Sequence, residues 1–236
     1  MGVSTAGSSA QSGNLNMELI LTNGDSWTGG IYLGSKNKLW PGQLAQHCGS
    51  HVVNLAIGGA SNQRIFRTTL EFLYDTKTMP TCIIIGWTSL LRYEITHNSG
   101  NYIRLTPIGV PQLDDDTHIK NYNHVHELYY SQQFNQELNY TTFVNNLYIL
   151  SEYCRYKNIK LLNFFSFEGC NETALEHNLK DTRWIIPPCD SMRSYLKNKH
   201  FDETVSNHTD QLGQIFWASL VLEKLNKLST MTDISC

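Results

Sequence analysis

Four short runs of the chain are dense in Ile, Val, Leu or Phe: ELILTN over 18–23, HVVNLAI over 51–57, TCIIIGW over 81–87 and IKLLNFFS over 159–166. They lack clean alternation of apolar and polar positions. Their Ile, Val, Leu and Phe content predicts strands covered on both faces, as in a parallel sheet. Between and after them, polar residues return at helical spacing. The segments 38–48, 62–77, 140–157 and 190–199 read as helices, and a longer one runs from 208 to 228. In that last segment Leu212, Ile215, Phe216, Leu220, Leu222 and Leu225 fall mostly on one face. Strands alternating with helices predict a central parallel sheet with right-handed crossovers, in a three-layer α/β/α fold.

One region breaks the pattern. Residues 92–137 carry Gly, Pro and Asn, an acidic triplet (Asp114, Asp115, Asp116), and His118, His124 and His126 among several tyrosines. With no clear period, the segment reads as an irregular insertion. It follows the carboxyl end of the third strand, the edge where open α/β sheets place ligands, so a lid or a specificity loop is expected. Residues 1–16 read as a flexible tail, and 17–230 as a single domain carrying that insertion.

Composition narrows the function classes. A chain of 236 residues, 41% hydrophobic and 17% charged, suits one packed domain and carries no general disorder signature. A net charge of −3 with no basic run argues against a nucleic-acid partner. No apolar stretch approaches the roughly 18–20 residues of a membrane span. The amino-terminal segment lacks the positive region and apolar core of a signal peptide, which points to a cytoplasmic location. Its Met-Gly start is a weak match to a myristoylation signal. Six cysteines, at 48, 82, 154, 170, 189 and 236, show no CxxC spacing, so reduced thiols are expected rather than a zinc site or a disulfide framework. The sequons at Asn139, Asn171 and Asn207 are discounted in a chain without a signal sequence.

Two residues stand where chemistry is expected. Ser26 follows the first strand inside Gly24-Asp25-Ser26, with Gly29 and Gly30 just beyond. A serine there is either a helix N-cap or an exposed nucleophile. His208 opens the last helix, where it is either a cap-region residue beside Ser206, Asn207 and Thr209 or a general base. Trp27 and Trp87 flank this edge as pocket walls or as core. Arg64 and Arg92 follow the second and third strands and are candidates for binding an anionic part of a substrate. The His124-x-His126 spacing suits a metal on a strand, but no fuller ligand set accompanies it, and a solvated loop without metal is the expectation.

The pattern Gly24-Asp25-Ser26-x-Thr28-x-Gly30 resembles the first block of the SGNH (GDSL) hydrolases, a flavodoxin-like α/β/α family of esterases, lipases, acylhydrolases and carbohydrate deacetylases. Asn54, Ala56 and Gly59 are similar to its second block, Asn-x-Gly-x-x-Gly, with alanine at the first glycine. The family's third block, Gly-x-Asn-Asp, is matched by Gly86-Trp87-Thr88-Ser89, so Thr88 stands at the asparagine's place. The final Asp-x-x-His block is matched at His208 but has Val205 for the aspartate.

The resemblance implies Ser26 as nucleophile, His208 as base, and an oxyanion hole of the Ser26 and Gly59 N–H groups helped by Thr88 or Asn62. Asp202 or a backbone carbonyl would orient the imidazole. The implied activity is cleavage of a carboxylic ester, on an acetylated carbohydrate or a small ester, through an acyl-enzyme and without metal or organic cofactor. Trp27, Trp87 and Arg92 would contact substrate. The two departures also suit a binding or structural protein that keeps the fold with weak or lost catalysis. The GWTS block resembles SGNH-type proteins encoded by phages, for which a virion-associated role is conceivable. A nucleotide binder is disfavoured, because the first loop has neither G-x-G-x-x-G nor a P-loop lysine.

Overall fold

Leu19–Asn23 forms β1, buried along its whole length. In a computed structural model, the structure describes residues 19–30, 33, 35–97, 100–108, 111–113, 122–167, 183–187, 190–201 and 208–232. Around β1 lie β2 (His51–Asn54), β3 (Cys82–Trp87) and β7 (Lys160–Phe165), in the order β2-β1-β3-β7 and all parallel. Trp184 and Ser191 add single parallel bridges to Asn163 and Phe165, extending the sheet past β7.

Successive side chains of these strands point to opposite faces, and each face is covered. Ile20, Ile84, Leu162 and Phe164 pack with α2 (Trp40–Cys48), α6 (Met192–Asn198) and α7 (Gln211–Thr232). Leu21, Ile83, Ile85 and Leu161 pack on the other side with α3 (Asn62–Asp75) and α5 (Gln136–Tyr156). This double burial is why β1, β3 and β7 read as near-continuous apolar runs; the edge strand β2, expected to be covered on both faces, is half-buried at Val52 and Val53 and exposed at His51 and Asn54. The expected three-layer α/β/α fold is the fold of the molecule.

Boundaries differ by a few residues from the pattern reading. Strand β2 stops at Asn54 because the Asn54 side chain accepts the N–H of Ala56 at 3.1 Å and donates to the Thr28 carbonyl at 2.9 Å, bending the chain off the sheet. Helix α5 begins four residues earlier than the sequence suggests, at a cap where the Asn135 side chain accepts the Leu138 N–H. In α7 the core face is Trp217, Ala218, Val221 and Leu225, while Leu212 is exposed. The stripe of Leu212, Ile215, Phe216, Leu220, Leu222 and Leu225 omits Trp217, the largest side chain on that face.

The insertion is ordered where it is described, contrary to the irregular segment expected. It carries an antiparallel meander of β4 (Tyr93–Thr96), β5 (Tyr102–Leu105) and β6 (Gln112–Leu113), then α4 (Asn123–Leu128) and a π-type turn at Tyr129–Gln133. Its small core is Ile103, Leu105 and Tyr129, with Tyr93 stacked on Tyr129 at 4.7 Å. Strands of four, four and two residues are too short to give a periodic signal. The meander docks on α3, where Arg67 forms a two-pronged pair with Glu94 at 3.0 and 2.8 Å and lies over the Tyr102 ring. Residues 1–16 and 114–120, including Asp114–Asp116 and His118, lie outside the described residues.

Candidate active site

The first loop is set by Asn23 and Asp25. The Asn23 side chain, fully buried, reaches the Ile65 carbonyl and the Thr69 hydroxyl of α3 and accepts the Gly24 N–H at 2.8 Å. Asp25 is the N-cap of α1 (Ser26–Gly29), its Oδ1 accepting the Trp27 N–H at 3.0 Å. The capping role therefore belongs to Asp25. Ser26 is the first helical residue, with its hydroxyl directed elsewhere and its N–H among the first-turn donors that a helix leaves unsatisfied internally.

That hydroxyl meets His208: Ser26 Oγ and His208 Nε2 are 2.8 Å apart across 182 residues of chain. The imidazole stacks on the Trp27 indole at 5.6 Å between centroids, and Trp27 is itself buried against Phe167. His208 does not cap α7. Asp210 does, accepting the Gly213 N–H on its carboxylate at 2.8 Å and the Gln214 N–H on its carbonyl. Thr209 is buried against Gly213, where a Cβ would sit 1.9 Å from the threonine hydroxyl. Gly213 thus lets the strand of chain bearing His208 lie against the start of α7.

The second loop carries Gly59, at φ +71, a left-handed conformation that disfavours a side chain. The turn is held by the insertion. Arg104, buried in β5, donates through Nη1 to the Gly58 carbonyl and through Nη2 to the Leu113 carbonyl. Asn62, at the start of α3, donates to the Thr88 carbonyl at 3.0 Å and accepts the Thr88 N–H at 2.8 Å, tying the second loop to the third.

Thr88 turns its hydroxyl to Asp25, donating to Oδ2 at 2.8 Å. The same oxygen accepts Arg92 Nη1 at 3.1 Å, and Arg92 Nη1 also approaches the Ala60 carbonyl at 3.4 Å. The guanidinium lies 4.8 Å over the Phe167 ring. A fully buried carboxylate is thereby matched by a cation and two further donors, which is what its burial requires. Near Arg92, Tyr130 donates its hydroxyl to the Leu91 carbonyl, and burial raises its phenol above the ordinary tyrosine range.

Ser26, His208, Gly59, Asn62, Thr88, Trp27 and Arg92 all lie at the carboxyl edge of the sheet or on the loops that leave it. Trp87 stays inside the core, edge-on to Phe143 and donating its indole N–H to Asn163, so it is no pocket wall. Arg64 is buried toward an open groove of about 430 Å³ along α3, with its Nη1 on the Leu55 carbonyl. Asp202 and Val205 lie outside the described residues. Among the described residues no cluster of three or more His, Cys, Asp or Glu comes together, and His126 bonds the Thr106 carbonyl. Three residues of the arrangement were not assigned roles from sequence. Asp25 sat unused inside its motif, Arg104 was a lone charge in an apolar run (YIRL), and Phe167 followed the last strand with nothing to mark it.

Comparison with known families places the chain. The model of a family described as "Family of unknown function (DUF6071)" matches residues 19–200. The chain belongs to that family. The DUF6071 match includes Ser26 and stops before His208. No curated protein matches the sequence. Solved structures do match, at low identity. The esterase EstA from Pseudoalteromonas sp. aligns over 90% of this chain and 99% of its own, with a TM-score of 0.53 and 13% identity. A member of the lipolytic protein G-D-S-L family from Veillonella parvula aligns over 87% and 97%, with a TM-score of 0.50 and 14% identity. A carbohydrate esterase family 2 enzyme from Corynascus thermopiles (Myceliophthora fergusii) aligns over 94% and 67%, with a TM-score of 0.50 and 10% identity. This DUF6071 chain therefore shares the fold of the SGNH hydrolases.

Proposed function

We propose that the chain is a serine ester hydrolase working through an acyl-enzyme. The observation that carries this reading is the 2.8 Å contact between Ser26 Oγ and His208 Nε2 at the carboxyl edge of the sheet. A neutral imidazole protonated on Nδ1 accepts the serine proton at Nε2. As Oγ attacks the carbonyl carbon, that proton moves to Nε2 and the C=O π electrons move onto oxygen, where the backbone N–H groups of Ser26 and Gly59 receive the charge. Collapse expels the alkoxide, which takes the proton from His208. Water, deprotonated by the same imidazole, then attacks the acyl carbon and frees Ser26. Trp27 supports the ring from beneath, and Asp202 or a main-chain carbonyl would hold the Nδ1 proton.

The substrate class is a small ester or an acetyl group on a carbohydrate. The carbohydrate-esterase neighbour and the polar, tyrosine-rich insertion beside the site support it. The test is hydrolysis of p-nitrophenyl acetate and of an acetylated oligosaccharide by the protein and its Ser26→Ala and His208→Ala variants. Activity is expected to fall at least about a thousandfold in both folded variants. Unchanged turnover in Ser26→Ala would remove the serine from the chemistry.

A further inference from the structure

We propose that Arg92 is a catalytic residue, its guanidinium supplying the third hydrogen-bond donor to the oxyanion. This rests on the reading of Ser26 and His208 as the acyl-transfer pair. Two side chains expected to give that donor already make hydrogen bonds within the protein. The Thr88 hydroxyl donates to Asp25 Oδ2, and the Asn62 amide spends its oxygen and one of its two N–H groups on the Thr88 main chain.

Arg92 occupies the space between the two loops that carry the backbone donors. Its Nη1 bonds Asp25, the residue before Ser26, and approaches the carbonyl of Ala60, the residue after Gly59. Phe167 covers one face of the guanidinium, and Phe167 packs on the Trp27 that supports His208. The cation therefore stands in the same wall as the base. Only Nη1 is used in hydrogen bonds; Nη2 and Nε make none to the described residues, and the side chain keeps 15% of its surface open.

The Asp25 contact is one-pronged, with the carboxylate's other oxygen on the Trp27 N–H. An arginine held at one nitrogen by a buried carboxylate is fixed in place while its remaining fork stays free to donate. A donor built into the site before reaction costs no reorganisation when charge develops, and one such donor is commonly worth 10²–10³ in rate.

The test reads Ser26 directly by intact-mass labelling with a neutral alkyl fluorophosphonate. In that reaction Oγ attacks phosphorus, fluoride leaves, the proton passes to His208, and charge builds on the phosphoryl oxygen. Arg92→Gln is expected to slow labelling about a hundredfold, and Arg92→Lys at least about tenfold. Because Arg92→Gln leaves Asp25 buried without its cation, the paired variant Asp25→Asn/Arg92→Gln is measured beside it, with folding followed by circular dichroism, and the same slowing is expected. Labelling of either folded variant within about threefold of the parent overturns the proposal. So does a loss seen only with an anionic ester such as p-nitrophenyl hemisuccinate and expressed in KM, which would make Arg92 a substrate anchor. No labelling of the parent at Ser26 would overturn the acyl-transfer reading itself, and this proposal with it.

Discussion

Asp25 shows how one buried side chain can tie several loops together. Its two oxygens collect the Trp27 N–H, the Thr88 hydroxyl and Arg92 Nη1, so three loops meet on one carboxylate. Removing one donor from a buried charge costs more than the same bond would at the surface, about 1–3 kcal/mol. Thr88→Val, which keeps the shape and deletes the hydroxyl, is expected to lower stability by that amount in urea denaturation, while Thr88→Ser stays close to the parent. Several of these residues were legible from sequence: Ser26 and His208 by their order along the chain, Gly59 by its glycine context. Asp25, Arg104 and Phe167 were not, because their roles come from partners 67, 46 and more residues away in contacts that no local pattern encodes.

At the scale of elements, the last helix matters most for placing His208. Replacing a helical glycine by alanine ordinarily gains up to about 1 kcal/mol. Gly213 is expected to behave in the opposite sense, since the new methyl would meet the Thr209 hydroxyl and Cβ. Gly213→Ala is predicted to lower Tm and to slow Ser26 labelling together, by pushing the His208 segment off α7. A rise in Tm with unchanged labelling would mean that the contact relaxes easily. The elements themselves were readable wherever apolar runs were long. The parallel strands and the helices α3, α5 and α7 follow from burial on fixed faces. The meander escaped because its strands are four, four and two residues long and pair only with one another. Its hold on the Gly58 turn passes through Arg104, a tertiary contact.

The whole molecule carries a titration built into its core. Burial pushes the Cys82 and Cys154 thiols up to about 12, well above the 9.0 of an exposed cysteine. Well below pH 9 both are protonated whether the chain is folded or not, and their contribution is complete. Between about 9 and 12 the unfolded chain releases protons that the folded one keeps, so stability falls as pH rises, with a slope approaching about 1.4 kcal/mol per pH unit for each thiol. Urea denaturation across that window should show the decline, and Cys82→Ala should flatten its share. A decline that is the same in Cys82→Ala would place the titration elsewhere.

The 182 residues between Ser26 and His208 carry a consequence for the chain as it folds. Closing so long a loop is an entropic cost met only once the sheet and α7 have come together. Until that moment Ser26 is a plain alcohol in a collapsing polymer, without its imidazole partner. The Ser26–His208 contact is thus made by a long-range docking event, and a chain whose α7 has not docked on the sheet lacks it.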